Sequence, residues 1–229
     1  MKYINTDQLE KIRLTKDNFF VALDFDKTLT AKESTDSWDA SGRLLGEDFQ
    51  KKIEELHEKY SPIEQDYTIS FEEKKKAMEE WYHKSLNLYY AYHLTKEQLE
   101  KSIAQSNLFF RQGAKQFLQD MYTNRIPVII LSAGIRNVIE YFLKKENCLY
   151  DNIYIIANRL SFDENGNIED FHNSMIHTLN KTMEGHLTSD FAQKLTNRNY
   201  RLLIGDFIED KNMISKKEWN QTISVRFFR

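Results

Sequence analysis

Apolar and polar positions follow two regimes along the chain. Four short runs are apolar at nearly every position: "FFVALDFD" (19–26), "PVIILSAG" (127–134), "IYIIAN" (153–158) and "YRLLIGD" (200–206). They are too short and too rich in β-branched residues for helices, and they predict strands buried on both faces. Between the second and third, residues 136–145 place Val138, Ile139 and Phe142 on one side, just after Ile135, which predicts an amphipathic helix. Strands alternating with such a helix predict an α/β fold, a Rossmann-like parallel sheet flanked by helices. Residues 33–108 contain no strand-like run. In "EDFQKKIEELHEKY", Phe49, Ile53, Leu56 and Tyr60 share one helical face. Ser70 with Glu73, and Thr95 with Gln98, match the capping box that opens a helix. Phe71, Met78, Trp81, Tyr82, Ser85, Tyr89 and Tyr92 then form one stripe. The pattern predicts a core built from 1–32 and 109–229, with 33–108 inserted as an α-helical cap over the rim where the strands end.

Composition narrows the function classes. A chain of 229 residues holds a core domain plus a smaller insert. A net charge of −3 supplies no broad basic field, which argues against nucleic acid polymers and anionic membranes as partners. One cysteine, Cys148, excludes an internal disulfide framework and suits a reducing compartment. The opening "MKYINTDQLEKIRLTKDN" has no apolar segment of the kind a secretory signal needs. No run approaches the roughly 20 apolar residues of a membrane span. The expectation is a soluble, cytoplasmic, monomeric protein.

Chemistry gathers at the predicted strand ends, where parallel sheets bind ligands. Three of the four runs finish in reactive groups: Asp24 with Asp26, Ser132-Ala133-Gly134, and Gly205-Asp206. Asp24-x-Asp26-x-Thr28 points to an aspartyl nucleophile, because a carboxylate with its ordinary pKa of about 3.9 is ionised at neutral pH and needs no base to attack phosphorus. Crowded carboxylates require a counter-ion, and hard oxygen donors favour Mg²⁺, with Asp206 as a further ligand. Asp26 is placed to protonate the leaving oxygen and later to activate water. Ser132-Ala133-Gly134, running into the helix that begins near Ile135, predicts a phosphate cradle. Lys181 supplies a positive charge. "DENGN" (163–167) begins like a calcium loop, but Ile168 stands where that loop needs glycine, so a hairpin turn at Asn165-Gly166 is expected.

The motifs "DFDKTLT", "EKYSPIEQD", "EEKKKAMEEWYHKS", "LSAGIRNVIE", "FDENGNI", "MIHTLNK" and "IGDFIEDKNM" cover most of residues 19–213. Their order resembles the haloacid dehalogenase superfamily of Mg²⁺-dependent phosphohydrolases, and more closely the cytosolic 5′-nucleotidase III group. The resemblance implies hydrolysis of nucleoside 5′-monophosphates, pyrimidine or 7-methylguanosine, through an aspartyl-phosphate. It makes Asp24 the nucleophile and Asp26 the acid/base, which also reaches Mg²⁺ through its carbonyl. Asp206 becomes a metal ligand supported by Asp210, and Ser132, Ala133 and Lys181 become phosphate contacts. Glu64 and Ser85 of the cap match positions that contact the nucleoside, with Trp81 and Tyr82 close by and Trp38 a candidate stacking residue. The family continues past the last motif with more strand and helix, whereas this sequence stops at Arg229 soon after the strand-like "TISVRFF", so part of the core's edge is expected to be missing. Two other readings share these residues. One is a capped phosphatase acting on another small phosphomonoester, and the other is a nucleotide-binding relative without turnover.

Overall fold

The computed structural model describes residues 2–4, 8, 10–169, 175–184 and 186–227. Strands β1 (Lys2–Ile4), β2 (Phe19–Leu23), β3 (Val128–Ile135), β4 (Ile153–Asn158), β5 (Tyr200–Gly205) and β6 (Thr222–Phe227) form one sheet in the order β1-β6-β5-β2-β3-β4. β1 runs antiparallel to β6, and every other neighbouring pair is parallel. All five residues of β2 are buried. Val21 and Leu23 pack with Val128, Ile130, Ile139 and Phe142 on one face. Phe20 and Ala22 pack with Ile129, Leu131, Leu203 and Phe191 on the other. Successive strand residues point to opposite faces, so an unbroken apolar run is what a strand covered on both sides requires.

From β2 the strand order proceeds to β3 and β4 on one side and to β5 and β6 on the other. The connections therefore diverge at the carboxyl end of β2, which opens a crevice there. Asp24 is the first residue past that end.

Helices α1 (Ser37–Gly42), α2 (Glu47–Gln65), α3 (Phe71–Ala91) and α4 (Lys96–Gln105) lie between β2 and β3 in sequence. Helices α5 (Ala114–Thr123), α6 (Arg136–Lys145) and α7 (Ser189–Lys194) follow. Both expected capping boxes form, at the starts of α3 and α4. α2 continues through Pro62 to Gln65, further than its apolar stripe indicates. The ring denies the Glu58 carbonyl a donor, but Glu58 is exposed to water, so the loss is tolerated near the helix end. Phe71 departs from its predicted stripe and is 55% exposed, whereas Lys74 and Met78 further along α3 are buried.

Chain enters and leaves this helical segment side by side. The Ala31 N–H donates to the Phe109 carbonyl (3.1 Å), Thr35 to Asn107 (3.0 Å) and Arg111 to Leu29 (2.9 Å). Ala40, Phe49, Leu86, Tyr89, Leu99 and Ile103 share a core with Ile135, Val138 and Met175. A second contact forms where Leu179 reaches Tyr60, Met78 and Trp81. Asn165-Gly166 makes the expected turn, with Phe162 opposite Ile168 and Gly166 at φ +80°. Its Gly166 carbonyl accepts from Lys96 N–H at 2.8 Å, tying the hairpin to the start of α4.

Candidate active site

The sheet ladder extends one residue beyond β2, since Asp24 N–H donates to Ile204 O at 3.0 Å. This fixes the Asp24 backbone at the crevice, where its side chain is buried. The chain then turns sharply, with Lys27 in the left-handed region at φ 58°. Arg111 steadies this turn by donating to the carbonyls of Thr28 (2.9 Å) and Lys27. Lys181 Nζ lies 2.5 Å from Asp24 Oδ1 and 2.8 Å from Asp210 Oδ1. Asp210 Oδ2 also accepts from the backbone N–H groups of Asp206 (3.0 Å) and Phe207 (2.9 Å). Gly205 permits this approach, because a Cβ there would fall 2.3 Å from Asp210 Oδ2.

Asp26 is held apart from that cluster. The Ser37 N–H donates to its Oδ1 (2.9 Å) and the Ser37 hydroxyl to its Oδ2 (2.6 Å). Gly134 makes room for the pair, since a Cβ there would lie 1.9 Å from Ser37 Oγ and 2.8 Å from Asp26 Oδ2. Burial pushes the Asp26 carboxyl up to about 8, with the charges of Asp36 and Asp24 adding to the rise and Ser37 opposing it. The Asp24 carboxyl is raised to about 7, first by burial and then by Asp210 and Asp206, against the pull of Lys181. For Lys181, burial disfavours the ammonium, but Asp210 and Asp24 outweigh it and hold the group above its usual range.

Buried Asp24, Asp206 and Asp210 each offer an oxygen within 4.8 Å of the others. One ammonium among three carboxylates leaves an excess of negative charge, and every donor is a hard oxygen. The set fits a divalent cation such as Mg²⁺. The Asp26 side chain points to Ser37 instead, so Asp210 and not Asp26 completes the carboxylate group.

Ser132 is buried at the rim, and its Oγ accepts from the Gly134 N–H at 3.0 Å. Its own proton remains available to donate. The predicted helix-end cradle is different in detail. β3 continues to Ile135 through a register shift after Leu131, and α6 starts only at Arg136. The Ile135 N–H is already engaged by Ser37 Oγ (3.3 Å). The Ala133 carbonyl accepts from the Trp38 indole (3.2 Å) and from Asn158 (2.8 Å).

A cavity of about 870 Å³ separates these groups from the helical segment. Asp24, Asp26, Ser132, Ala133, Lys181 and Asp206 line one side, and Trp38, Glu64, Trp81, Tyr82 and Ser85 the other. Glu64 sits in the last turn of α2, is 8% exposed, and accepts from the Thr178 hydroxyl at 2.8 Å. Trp81 stacks on Tyr60 (6.0 Å, 13°), and Trp38 meets Tyr82 edge-on (5.5 Å, 89°).

Sequence reasoning missed Ser37, Asn158, Thr178 and Asn180. Ser37 carries no motif of its own. Asn158 ends a strand run, and Asn180 precedes Lys181; both positions were visible as polar residues beside predicted site groups.

Comparison with known proteins places this geometry in a family. The profile of pyrimidine 5′-nucleotidase (UMPH-1) matches residues 27–228. The chain is 32% identical over 204 residues to the 7-methylguanosine phosphate-specific 5′-nucleotidase of Homo sapiens, covering 86% of this chain and 68% of that protein. It superposes on cytosolic 5′-nucleotidase IIIB bound to cytidine with a TM-score of 0.76 and 25% identity, over 93% of this chain and 76% of that one. A phosphoserine phosphatase solved as a phospho-aspartyl intermediate analogue shares the fold, with a TM-score of 0.59 and 18% identity over 91% of this chain and 86% of that one. The chain belongs to the pyrimidine 5′-nucleotidase family, phosphoric monoester hydrolases on an α/β fold of haloacid dehalogenase type.

Proposed function

We propose that the chain hydrolyses nucleoside 5′-monophosphates at this cavity through an aspartyl-phosphate on Asp24, and takes 7-methylguanosine monophosphate ahead of CMP. The observation that carries the reading is the division of labour between two neighbouring aspartates, Asp24 paired with Lys181 and Asp26 held by Ser37. Asp24 attacks phosphorus. The nucleoside oxygen leaves with the proton that Asp26 holds near neutral pH, and the Ser37 donors steady the carboxylate left behind. That carboxylate then takes a proton from water as the water attacks the aspartyl-phosphate, which frees phosphate and Asp24. Lys181 and the Ser132 hydroxyl hold the phosphoryl oxygens. Asp24, Asp206 and Asp210, with the Asp26 carbonyl, would hold Mg²⁺, which when bound neutralises charge on nucleophile and phosphate.

The opposite wall bears on the base. Glu33, Asp36, Asp39, Glu54 and Glu64 line the cavity with Lys27, Arg43 and His57 among them, together with the rings of Trp38 and Trp81. A base that carries positive charge, as 7-methylguanine does, gains from both carboxylates and aromatic faces. Residues 33–108 serve as the cap in this reading. None of the described helices is long and apolar enough to cross a membrane, and a cytoplasmic location accords with the "cytosolic" in the name of a solved relative.

Phosphate release from 7-methyl-GMP, GMP, CMP and p-nitrophenyl phosphate tests this. The positive charge of the 7-methylated base is expected to raise kcat/KM over GMP roughly 2- to 30-fold, the span of a cation–π contact. Equal efficiency on GMP and 7-methyl-GMP would overturn the charge argument. Equal efficiency on nucleotides and p-nitrophenyl phosphate would overturn the nucleotidase reading.

A further inference from the structure

Lys181 and Thr178 belong to one short turn after β4, and the two side chains reach different groups of the cavity lining. Lys181 is on Asp24, where phosphate reacts, and Thr178 is on Glu64, across the cavity at the end of α2. The turn between them is tightly tied. Asn158, at the end of β4, donates to the Ile176 carbonyl (2.7 Å) and accepts from the Ile176 N–H (2.9 Å). Asn180 accepts from the His177 N–H (2.7 Å) and donates to the Met175 carbonyl (2.7 Å). The Leu179 N–H donates to His177 Nδ1 (3.3 Å). Leu179 itself is 7% exposed and lies among Tyr60, Met78 and Trp81. The turn is thus anchored to the sheet at one end and plugged into α2 and α3 at the other.

We propose that Thr178 is a positioning residue for base recognition: its hydroxyl orients the Glu64 carboxylate from the same turn that seats Lys181. A threonine hydroxyl has a single proton to give, and here it goes to Glu64 Oε1. A glutamate side chain has several rotatable bonds, and fixing the carboxylate in advance removes an ordering cost that nucleotide binding otherwise bears. The anchored turn also makes the distance between the phosphate-holding and base-reading groups a property of the core, so the length of a nucleotide is measured between Lys181 and Glu64. This inference rests on the reading of Glu64 as the group that contacts the base.

Steady-state kinetics on Thr178→Val, Thr178→Ser, Glu64→Ala and the Thr178→Val/Glu64→Ala double variant test it, with 7-methyl-GMP and p-nitrophenyl phosphate as substrates. Valine keeps the shape and removes the donor. Thr178→Val is expected to raise KM for 7-methyl-GMP about 5- to 30-fold with little change in kcat, as lost ground-state binding requires. Hydrolysis of p-nitrophenyl phosphate should hold, and Thr178→Ser should restore KM. In the Glu64→Ala background Thr178→Val should add nothing. Additive losses would mean that Thr178 touches the nucleotide directly, and unchanged KM in Thr178→Val would mean that Glu64 needs no such support; either result overturns the inference. If Glu64→Ala alone fails to discriminate between the two substrates, the base-reading role of Glu64 falls instead.

Discussion

Asp24 and Asp26 are the same residue type two positions apart, and only their neighbours separate them. Asp24 faces an ammonium and two more carboxylates, whereas Asp26 faces the hydroxyl and amide of Ser37. Asp24→Asn keeps the shape but loses the nucleophilic charge, so kcat should fall by at least about 1,000-fold while nucleotide binding survives. Phosphate release together with calorimetric binding checks both halves. Gly205→Ala tests the back of the site. The added Cβ would lie 2.6 Å from the Asp210 Cβ, so Asp210 must withdraw from Lys181. Overpacking of this kind costs about 1–3 kcal/mol, and a lower thermal midpoint with kcat reduced at least tenfold is expected. At this scale the sequence placed Asp24, Ser132, Lys181 and Asp206 at one rim, and the four do line one cavity. It could not show proton affinities, because burial raised both Asp24 and Asp26 and burial belongs to the folded chain.

Among the elements, strands were the most legible, because runs apolar at every position have few alternatives. β4 and α6 coincide with the stretches read from pattern alone. Helices α2, α3 and α4 were recognisable from their stripes and boxes, yet α2 passes Pro62 and so carries Glu64 on its last turn. The turn from Met175 to Lys181 was illegible, since its order comes from Asn158 and Asn180 and not from any local periodicity. It also buries His177, whose Nε2 finds no hydrogen-bond partner among the described residues. Burial, with a smaller contribution from Lys75, lowers this imidazole from 6.5 to about 4. The unfolded chain therefore takes up a proton below its pKa of 6.5 while the native state stays neutral, and stability is lost as pH falls from 6.5 towards 4. By pH 5 the loss should reach about 2 kcal/mol. Urea unfolding at pH 7 and pH 5 should show that His177→Gln makes the change on acidification more favourable by at least about 1 kcal/mol than in the wild type, with the opposite contribution of the raised Asp24 and Asp26 carboxyls common to both proteins; an identical change in the two would assign the effect to other groups.

For the molecule as a whole, helices and sheet meet across one cavity, and each substrate half should feel its own wall. Glu64→Ala should lower kcat/KM on 7-methyl-GMP roughly 10- to 150-fold, the worth of a hydrogen bond to a charged group, and spare p-nitrophenyl phosphate. Excess chelator should abolish turnover on both substrates and Mg²⁺ restore it, whereas Ca²⁺, with its longer bonds and larger ligand number, should restore it poorly. Residual full activity in chelator would remove the cation from the reading. The run of helices between β2 and β3 was legible from the change in periodicity. Its attachment was not, because the shared packing of Phe49, Tyr89, Ile135 and Val138 joins residues distant in sequence. One such attachment, the grip of Ser37 on Asp26, bears on how far the molecule is modular. Ser37 opens the inserted helices, so the segment that would choose the substrate also supplies a partner to the acid that releases it. Exchanging this insert for that of another phosphatase would transplant selectivity only if the donor brought a hydroxyl to the same spot. A chimera lacking it should fold and bind, and turn over slowly until that one serine is restored.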